Sequence, residues 1–190
     1  MAYTKTTSTD GPAIEPLVHL VARRWSIPVL GRLHAGGGGM KFVTLARALG
    51  VSRASLSATL NHLMVLDFVR RNPGHGHPMR PEYLLTDEGA PLALHCAALD
   101  RTVARNGGAD VAYRKWTLPL VAAIGDERVR FRDLRYRLAD ATPRAITIGL
   151  KQMVEEHWVD RFLIDDYPPA AGYHLLPRGE RVWSCLQPFC

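Results

Sequence analysis

Apolar residues recur at helical spacing from the start of the chain. Leu17, Val18, Leu20 and Val21 predict a helix over residues 15–23. A second helix is expected over 26–34, with Ser26 as its cap and Pro28 in its first turn, where a missing N–H costs little. Gly36 to Gly39 ends it, and Met40-Lys41-Phe42 reads as a very short strand. Leu45, Ala46 and Leu49 mark the inward side of a short helix over 43–49. After the Gly50-Val51 turn, Ser52 is a good N-cap for a helix over 53–66. Leu56, Leu60, Leu63 and either Val65 or Leu66 form its apolar stripe, and Arg53, Ser57, Asn61 and His62 its polar side. Residues 67–71 predict a strand, 72–81 are dense in turn formers, and 82–85 predict the return strand. Thr86 is expected to cap a long Ala- and Leu-rich helix ending near Arg105.

The same course is then run again. Trp25 to Leu30 returns as Trp116 to Val121, 91 residues later. Phe68-Val69-Arg70-Arg71 returns as Trp158-Val159-Asp160-Arg161, and Tyr83 through Gly89 as Tyr173 through Gly179, both at an offset of 90. Repeats in constant order imply two copies of one module. The expected division is a tail over 1–13, a first domain over 14–107 and a second over 108–190. In the second copy, helices are expected over 117–124 and 131–138, with a loop over 125–130 between them. Thr142-Pro143 then opens a helix with Ile146, Leu150, Met153 and Val154 inward and Arg144, Thr147, Lys151 and Gln152 outward. Residues 158–164 and 173–176 are the paired strands. Each copy is near the size at which a lone core is marginal, so the two are expected to pack together.

A short helix, a tight turn, a helix with a polar face and a long-tipped hairpin make a winged helix-turn-helix. The expected fold is mainly α with small β-hairpins, two such domains packed as a pseudo-dimer. Polar side chains on the second helix suit base edges in a major groove, although a merely solvated helix face has the same pattern. Ser52, Arg53, Ser57, Asn61 and His62 are the candidate DNA contacts in the first copy, with Arg70, Arg71 and Arg80 on its wing. Thr142, Arg144, Thr147, Lys151 and Gln152 are the candidates in the second. Its wing is acidic around Asp165 and Asp166, and Arg128, Arg130, Arg132, Arg135 and Arg137 stand ready to compensate. Gly149 replaces Thr59 in the second reading helix, at a propensity cost on the order of 1 kcal/mol, and either permits close backbone approach there or makes the second reader weaker.

Charge adds a polyanion to the picture. The chain of 190 residues carries a net +6, of which residues 1–109 hold +5 and residues 110–190 only +1. Arginine outnumbers lysine 20 to 4, which codon bias in a GC-rich genome also produces. No apolar run approaches a membrane span, and the Thr-rich start has no apolar leader core, so a cytoplasmic protein is expected. Cys96, Cys185 and Cys190 form no CxxC pair. A redox pair of Cys185 and Cys190 is open, with inert thiols the better reading. His75 and His77 have HxH spacing, but two ligands on a loop make a poor metal site, and no cofactor or metal is expected. Trp25 and Trp116, at equivalent places, are the candidates to line an effector pocket, with core anchoring as the alternative. Nucleophile-elbow, zincin and phosphate-loop motifs are lacking, so no enzyme is expected.

Together these residues resemble the HxlR branch of the MarR-like winged helix-turn-helix regulators. The resemblance is carried by Arg24-Trp25, Gly39 to Phe42 before Leu45, Val51-Ser52 before Leu56, Phe68 to Arg71, and Tyr83 to Gly89. Lys115-Trp116, Phe131 with Leu134, Thr142 to Arg144 and Trp158 to Arg161 carry it in the second half. The family implies small dimeric DNA-binding proteins, mostly repressors, some answering to small molecules or oxidants. Two modules in one chain turn the family's two-fold into a pseudo-two-fold, so a monomer is expected to cover a non-palindromic operator. A homodimer is required if only one module reads DNA. Oxidant-sensing members keep a cysteine near the N-terminus, and this chain has none there. A duplicated module that binds a small molecule or a protein partner instead of DNA is the competing class, favoured by the acidic second wing.

Overall fold

The computed structural model describes residues 14–72, 81–165, 167 and 169–189. Arg80, His75, His77, Cys190 and the 1–13 tail, on which several of the expectations above fall, lie outside the described residues.

The first half runs α1 (Glu15–Leu20), α2 (Ser26–Ala35), β1 (Gly39–Lys41), α3 (Phe42–Leu49), α4 (Arg53–Val65), β2 (Val69–Asn72), β3 (Glu82–Leu85) and α5 (Gly89–Asn106). The second runs α6 (Ala109–Ala112), α7 (Thr117–Ile124), β4 (Val129–Arg130), α8 (Phe131–Arg137), α9 (Pro143–Glu155), β5 (Val159–Ile164), β6 (Ala170–Leu175) and α10 (Pro177–Ser184), closing on a 3-10 turn, Gln187–Phe189. Each half holds a three-stranded antiparallel sheet, β1-β3-β2 and β4-β6-β5. Met40 faces Tyr83 and Arg71 faces Tyr83 from the other side, while Val129 and Arg161 flank Tyr173 in the same way. The tandem winged helix-turn-helix expected from the pattern is the fold observed.

Four local expectations need correction. Ser26 does not cap α2: the cap position is Trp25, and the Ser26 hydroxyl is buried in the first turn without a partner among the described residues. The loop over 125–130 contains β4, which pairs with β6 but is two residues long and too short to show a period. Of Val65 and Leu66, it is Leu66 that turns partly inward while Val65 is exposed. Two helices, α6 and α10, had no expected counterpart. α6 is a single turn, and α10 has few apolar residues beyond Val182 and Trp183.

The turn of the first helix-turn-helix is made sharp by a glycine. Gly50, at φ 63°, closes α3 in the left-handed region that side chains disfavour. The ends of both reading helices use the same device with other residues: Asp67 and His157 are left-handed at φ 57° and 59°. Each is followed by an aromatic residue, Phe68 or Trp158, whose carbonyl accepts from the start of the segment after the wing, Thr86 N at 3.2 Å or Leu176 N at 2.8 Å. Gly89 and Gly179 lie directly against those two carbonyls and leave no room for a Cβ. Thr86 reinforces the first copy of this joint, its hydroxyl donating to Asp67 O at 2.6 Å and accepting from Gly89 N at 2.9 Å.

One continuous apolar core runs through both halves. α2 packs along α5, α1 reaches α7, and α5 meets α10. Polar contacts cross as well. Arg24 Nη2 donates to Asp110 at 2.8 Å, Tyr113 OH to Asp100 at 2.5 Å, and Arg181 Nε to Asn106 at 2.8 Å. Sharing the core solves the size problem of each small module.

Candidate nucleic-acid interface

Ser52 caps α4 as expected, accepting from Ser55 N at 3.2 Å. Leu56, Leu60 and Leu63 are fully buried, so the opposite face is held outward by the core itself. Thr59 is also buried and donates back to Ser55 O at 2.9 Å. On the outward face, Ser57 and Asn61 are exposed with side chains that have no partner among the described residues. Arg53, at the start of the helix, lies 5.6 Å over the Phe42 ring. His62 leaves this face: it is half-buried, and its Nε2 sits 2.9 Å from His19 O, tying α4 to the end of α1.

Next to Arg53 an open depression of about 690 Å³ is lined by Lys41, Phe42, Val43, Thr44, Ser57 and Pro81. No side chain caps α3, so the positive end of its dipole faces this depression between two cations, Lys41 and Arg53. An uncapped helix start between two cations is chemically suited to an anion. Arg70 and Arg71 are exposed on β2, the opposite edge of the sheet from β1.

The second copy keeps the reading helix and changes its surroundings. Thr142 caps α9, accepting from Ala145 N at 3.2 Å, with Pro143 in the first turn. Arg144, Thr147 and Lys151 are exposed, while Gln152 is half-buried. Thr147 Oγ1 donates to Pro143 O at 2.9 Å, and Lys151 Nζ lies 3.9 Å from Glu155. Gly149 is buried on the opposite side, where a Cβ would come 2.5 Å from Leu120 Cδ1. The close approach it permits is therefore to α7 of its own module.

At the place of Thr44 stands Asp133, which accepts from Arg130 N at 3.0 Å and caps α8. The helix end that is open in the first copy is thus already neutralised in the second. At the place of Arg70 stands Asp160, 3.9 Å from His174 Nδ1. The expected arginine compensation is partial. Arg137 is turned inward, donating to Ala123 O and to Glu127, each at 2.7 Å. Arg128 lies 4.5 Å over the Phe162 ring of the wing, while Arg132 and Arg135 are exposed.

Trp25 and Trp116 are half-buried against the core, each beneath a cation of the preceding residue, Arg24 at 5.5 Å and Lys115 at 5.0 Å. The hydroxyls that follow them, Ser26 and Thr117, are both buried without a partner among the described residues. Cys96 is enclosed in the core, and burial pushes its pKa well above the ordinary thiol value, with the charge of Asp100 adding to the shift. It is held as an unreactive thiol.

A family model described as HxlR-like helix-turn-helix matches residues 20–109 and again residues 111–190. The chain belongs to that family. Among curated proteins, this HxlR-like chain is 36% identical over 83 residues to an uncharacterized HTH-type transcriptional regulator of Mycobacterium tuberculosis (strain CDC 1551 / Oshkosh), covering 44% of this chain and 51% of that one. It is 25% identical over 76 residues to an uncharacterized HTH-type transcriptional regulator of Methanothermobacter thermautotrophicus, covering 40% and 58%. The chain spans about half the length of the curated relatives it matches. Among solved structures, a MarR-family regulator of Porphyromonas gingivalis W83 aligns at a TM-score of 0.41 and 19% identity, over 55% of this chain and 89% of that one. Diamide-treated YodB from B. subtilis aligns at 0.38 and 16%, over 42% and 78%.

Ile148 was absent from the sequence expectations. It follows Thr147 on the outward side of α9 and is 45% exposed. A lone isoleucine adds nothing to the helical stripe, and only its placement between Arg144 and Lys151 gives it meaning. Asp133 was also missed, because an acidic residue in a first turn is an ordinary helix signal until its counterpart Thr44 is seen.

Proposed function

We propose that this HxlR-like chain is a DNA-binding transcriptional regulator that lays two unlike reading helices on one non-palindromic operator. The observation that carries the reading is Ser57 and Asn61, exposed and without a side-chain partner among the described residues, on a helix whose other face is locked into the core, beside the open end of α3. In a dimeric winged helix, equal readers enter successive major grooves roughly 34–36 Å apart and so favour palindromes. Here α4 and α9 differ at every outward position, so one chain asks two different questions of the duplex. Arg53, Asn61, Arg144 and Lys151 are assigned the main base or phosphate contacts, with Ser52, Ser57, Thr142, Thr147 and Gln152 supporting them.

The two modules divide the work. Lys41, Arg53, Arg70 and Arg71 give the first module the phosphate affinity, and Arg80 would extend it. The second, with Asp133 and Asp160 in equivalent places, contributes less of the electrostatic attraction. The regulatory mode proposed is repression by covering the operator, in the cytoplasm. An effector acting near Trp25 and Trp116 would change the spacing of the readers. Saturable quenching of tryptophan fluorescence by candidate ligands is its test. His62 is assigned to holding the helix.

The test is a titration of the gene's own upstream duplex against a scrambled duplex at about 150 mM salt, the screening regime in which non-specific binding is weak. The mass of the complex is read in parallel. Sequence-dependent binding by one chain per site supports the reading. Two chains per site would replace the pseudo-dimer with a homodimer. Equal weak binding to both duplexes would favour the second reading, a protein- or ligand-binding module. Leu163 exposed beside Asp165 on the second wing is the observation that favours it.

A further inference from the structure

The two reading faces differ in kind as well as in detail. At the centre of α4 stand Ser57 and Asn61, whose side chains have no partner among the described residues, with the small Ala58 beside them. At the equivalent centre of α9 stand Thr147, Ile148 and Lys151. Ile148 is 45% exposed. Thr147 has given its hydroxyl proton to Pro143 O at 2.9 Å, so it offers a base edge its methyl and an acceptor oxygen but no donor. Lys151 leans toward Glu155 at 3.9 Å, drawing the cation along the helix and away from Ile148. Arg144, one turn before Ile148, and Lys151, one turn after, frame an apolar centre within a cationic rim.

Covering the exposed part of the Ile148 side chain on binding would be favourable. In a major groove the one apolar group a base edge presents is the thymine 5-methyl, and threonine methyls and small apolar side chains are its partners. Such a contact releases no counterions and does not weaken with salt as phosphate contacts do. That suits a module whose phosphate contacts are blunted by Asp133 and Asp160. Asn61 in the first module, by contrast, has the amide geometry that pairs with adenine.

We infer that the second reader selects thymine through its 5-methyl group, held by Ile148 and the Thr147 methyl. The inference rests on the DNA-binding reading above and names what one of its two helices reads.

The full chain is used to enrich sites from a pool of random duplexes. The enriched duplex is then remade with each thymine in turn replaced by deoxyuridine, which pairs identically and lacks only the methyl. Loss of affinity of roughly three- to fivefold is expected at one or two thymines confined to one half-site, the effect of uncovering about one methyl group. The loss is expected to be equal at low and high salt. Ile148→Ala should abolish that sensitivity, so that the thymine and uridine duplexes bind equally, and Thr147→Ser should reduce it while keeping the Pro143 bond. An enriched site indifferent to uridine everywhere would overturn the inference and leave the regulator reading standing. So would a uridine effect that persists in both variants. A pool from which nothing is enriched would overturn the DNA-binding reading and this inference with it.

Discussion

Tyr113 donates its hydroxyl to Asp100 at 2.5 Å, and the bond joins the entry of the second module to the long helix that closes the first. It is largely sequestered from water, with Tyr113 buried and Asp100 half-buried. Burial first, and then the bond and charge of Asp100, hold the Tyr113 pKa far above its ordinary value.

Two outcomes follow for stability. Tyr113→Phe leaves Asp100 without its partner and should destabilise the chain by about 1–3 kcal/mol. Tyr113 and Cys96 both titrate higher in the folded chain than in the unfolded one. The unfolded state therefore loses protons first on the alkaline side, and ionisation draws the equilibrium toward it. The contribution is fully present below the ordinary values of about 9 and 10 and is lost as pH rises above them. Denaturant unfolding followed from about pH 8 to pH 11 should show a steep loss over the alkaline end. The loss should be shallower in Tyr113→Phe, and an identical slope in the two proteins would refute the assignment.

Ser26 and Thr117 hold the same place in the two modules, and each buries a hydroxyl without a partner among the described residues. Removing such a group is expected to stabilise. Thr117→Val, which keeps the shape, should add about 1 kcal/mol and raise Tm by roughly 2–4 °C. Ser26→Ala should act in the same direction. Thermal melts of the two variants and of the pair, at constant pH, are the check, and a lowered Tm would mean the hydroxyls have partners.

Thr44 and Asp133 make opposite predictions for DNA. Asp133→Asn removes the charge at the start of α8 and should tighten binding, steepening the salt dependence by about 0.9 in log–log slope for one phosphate gained. Thr44→Asp should loosen binding and flatten the slope by the same amount. Slopes measured between about 50 and 200 mM salt test both. Two unchanged slopes would show that neither helix end meets the backbone.

Gly89 and Gly149 separate close packing from helix propensity. A Cβ at Gly89 meets the rigid carbonyl of Phe68, whereas one at Gly149 meets only the end of the Leu120 side chain. Gly89→Ala should destabilise by about 1–3 kcal/mol through forced displacement of the wing joint. Gly149→Ala should be close to neutral, since its gain of about 1 kcal/mol in helix propensity offsets the repacking of Leu120. Chemical denaturation of both variants distinguishes the two cases.

The repeat, the helix-turn-helix in each copy, the wings and the caps at Ser52 and Thr142 were legible in the chain because each is a local pattern. Spacing of apolar residues, a capping hydroxyl and a turn-rich stretch act over a few residues, and the packed structure agrees with them. Short or weakly apolar elements were not legible: β4 exists because β6 lies beside it, and α10 because α5 and α7 cover it. The candidate site was legible as a list and not as an arrangement. Helical periodicity put His62 on the reading face, but α1 offers it the His19 carbonyl and draws it away. Periodicity offered Arg137 as a free cation, but Ala123 O and Glu127 hold it. Ser26 looked like a cap and is a buried hydroxyl. Sequence determined the helices of the helix-turn-helix and that there are two copies of it, because local propensity and periodicity suffice for that. Only the tertiary structure decided which polar side chains remain unspent for a ligand, because a hydrogen bond to a distant segment is invisible until the chain has brought that segment near.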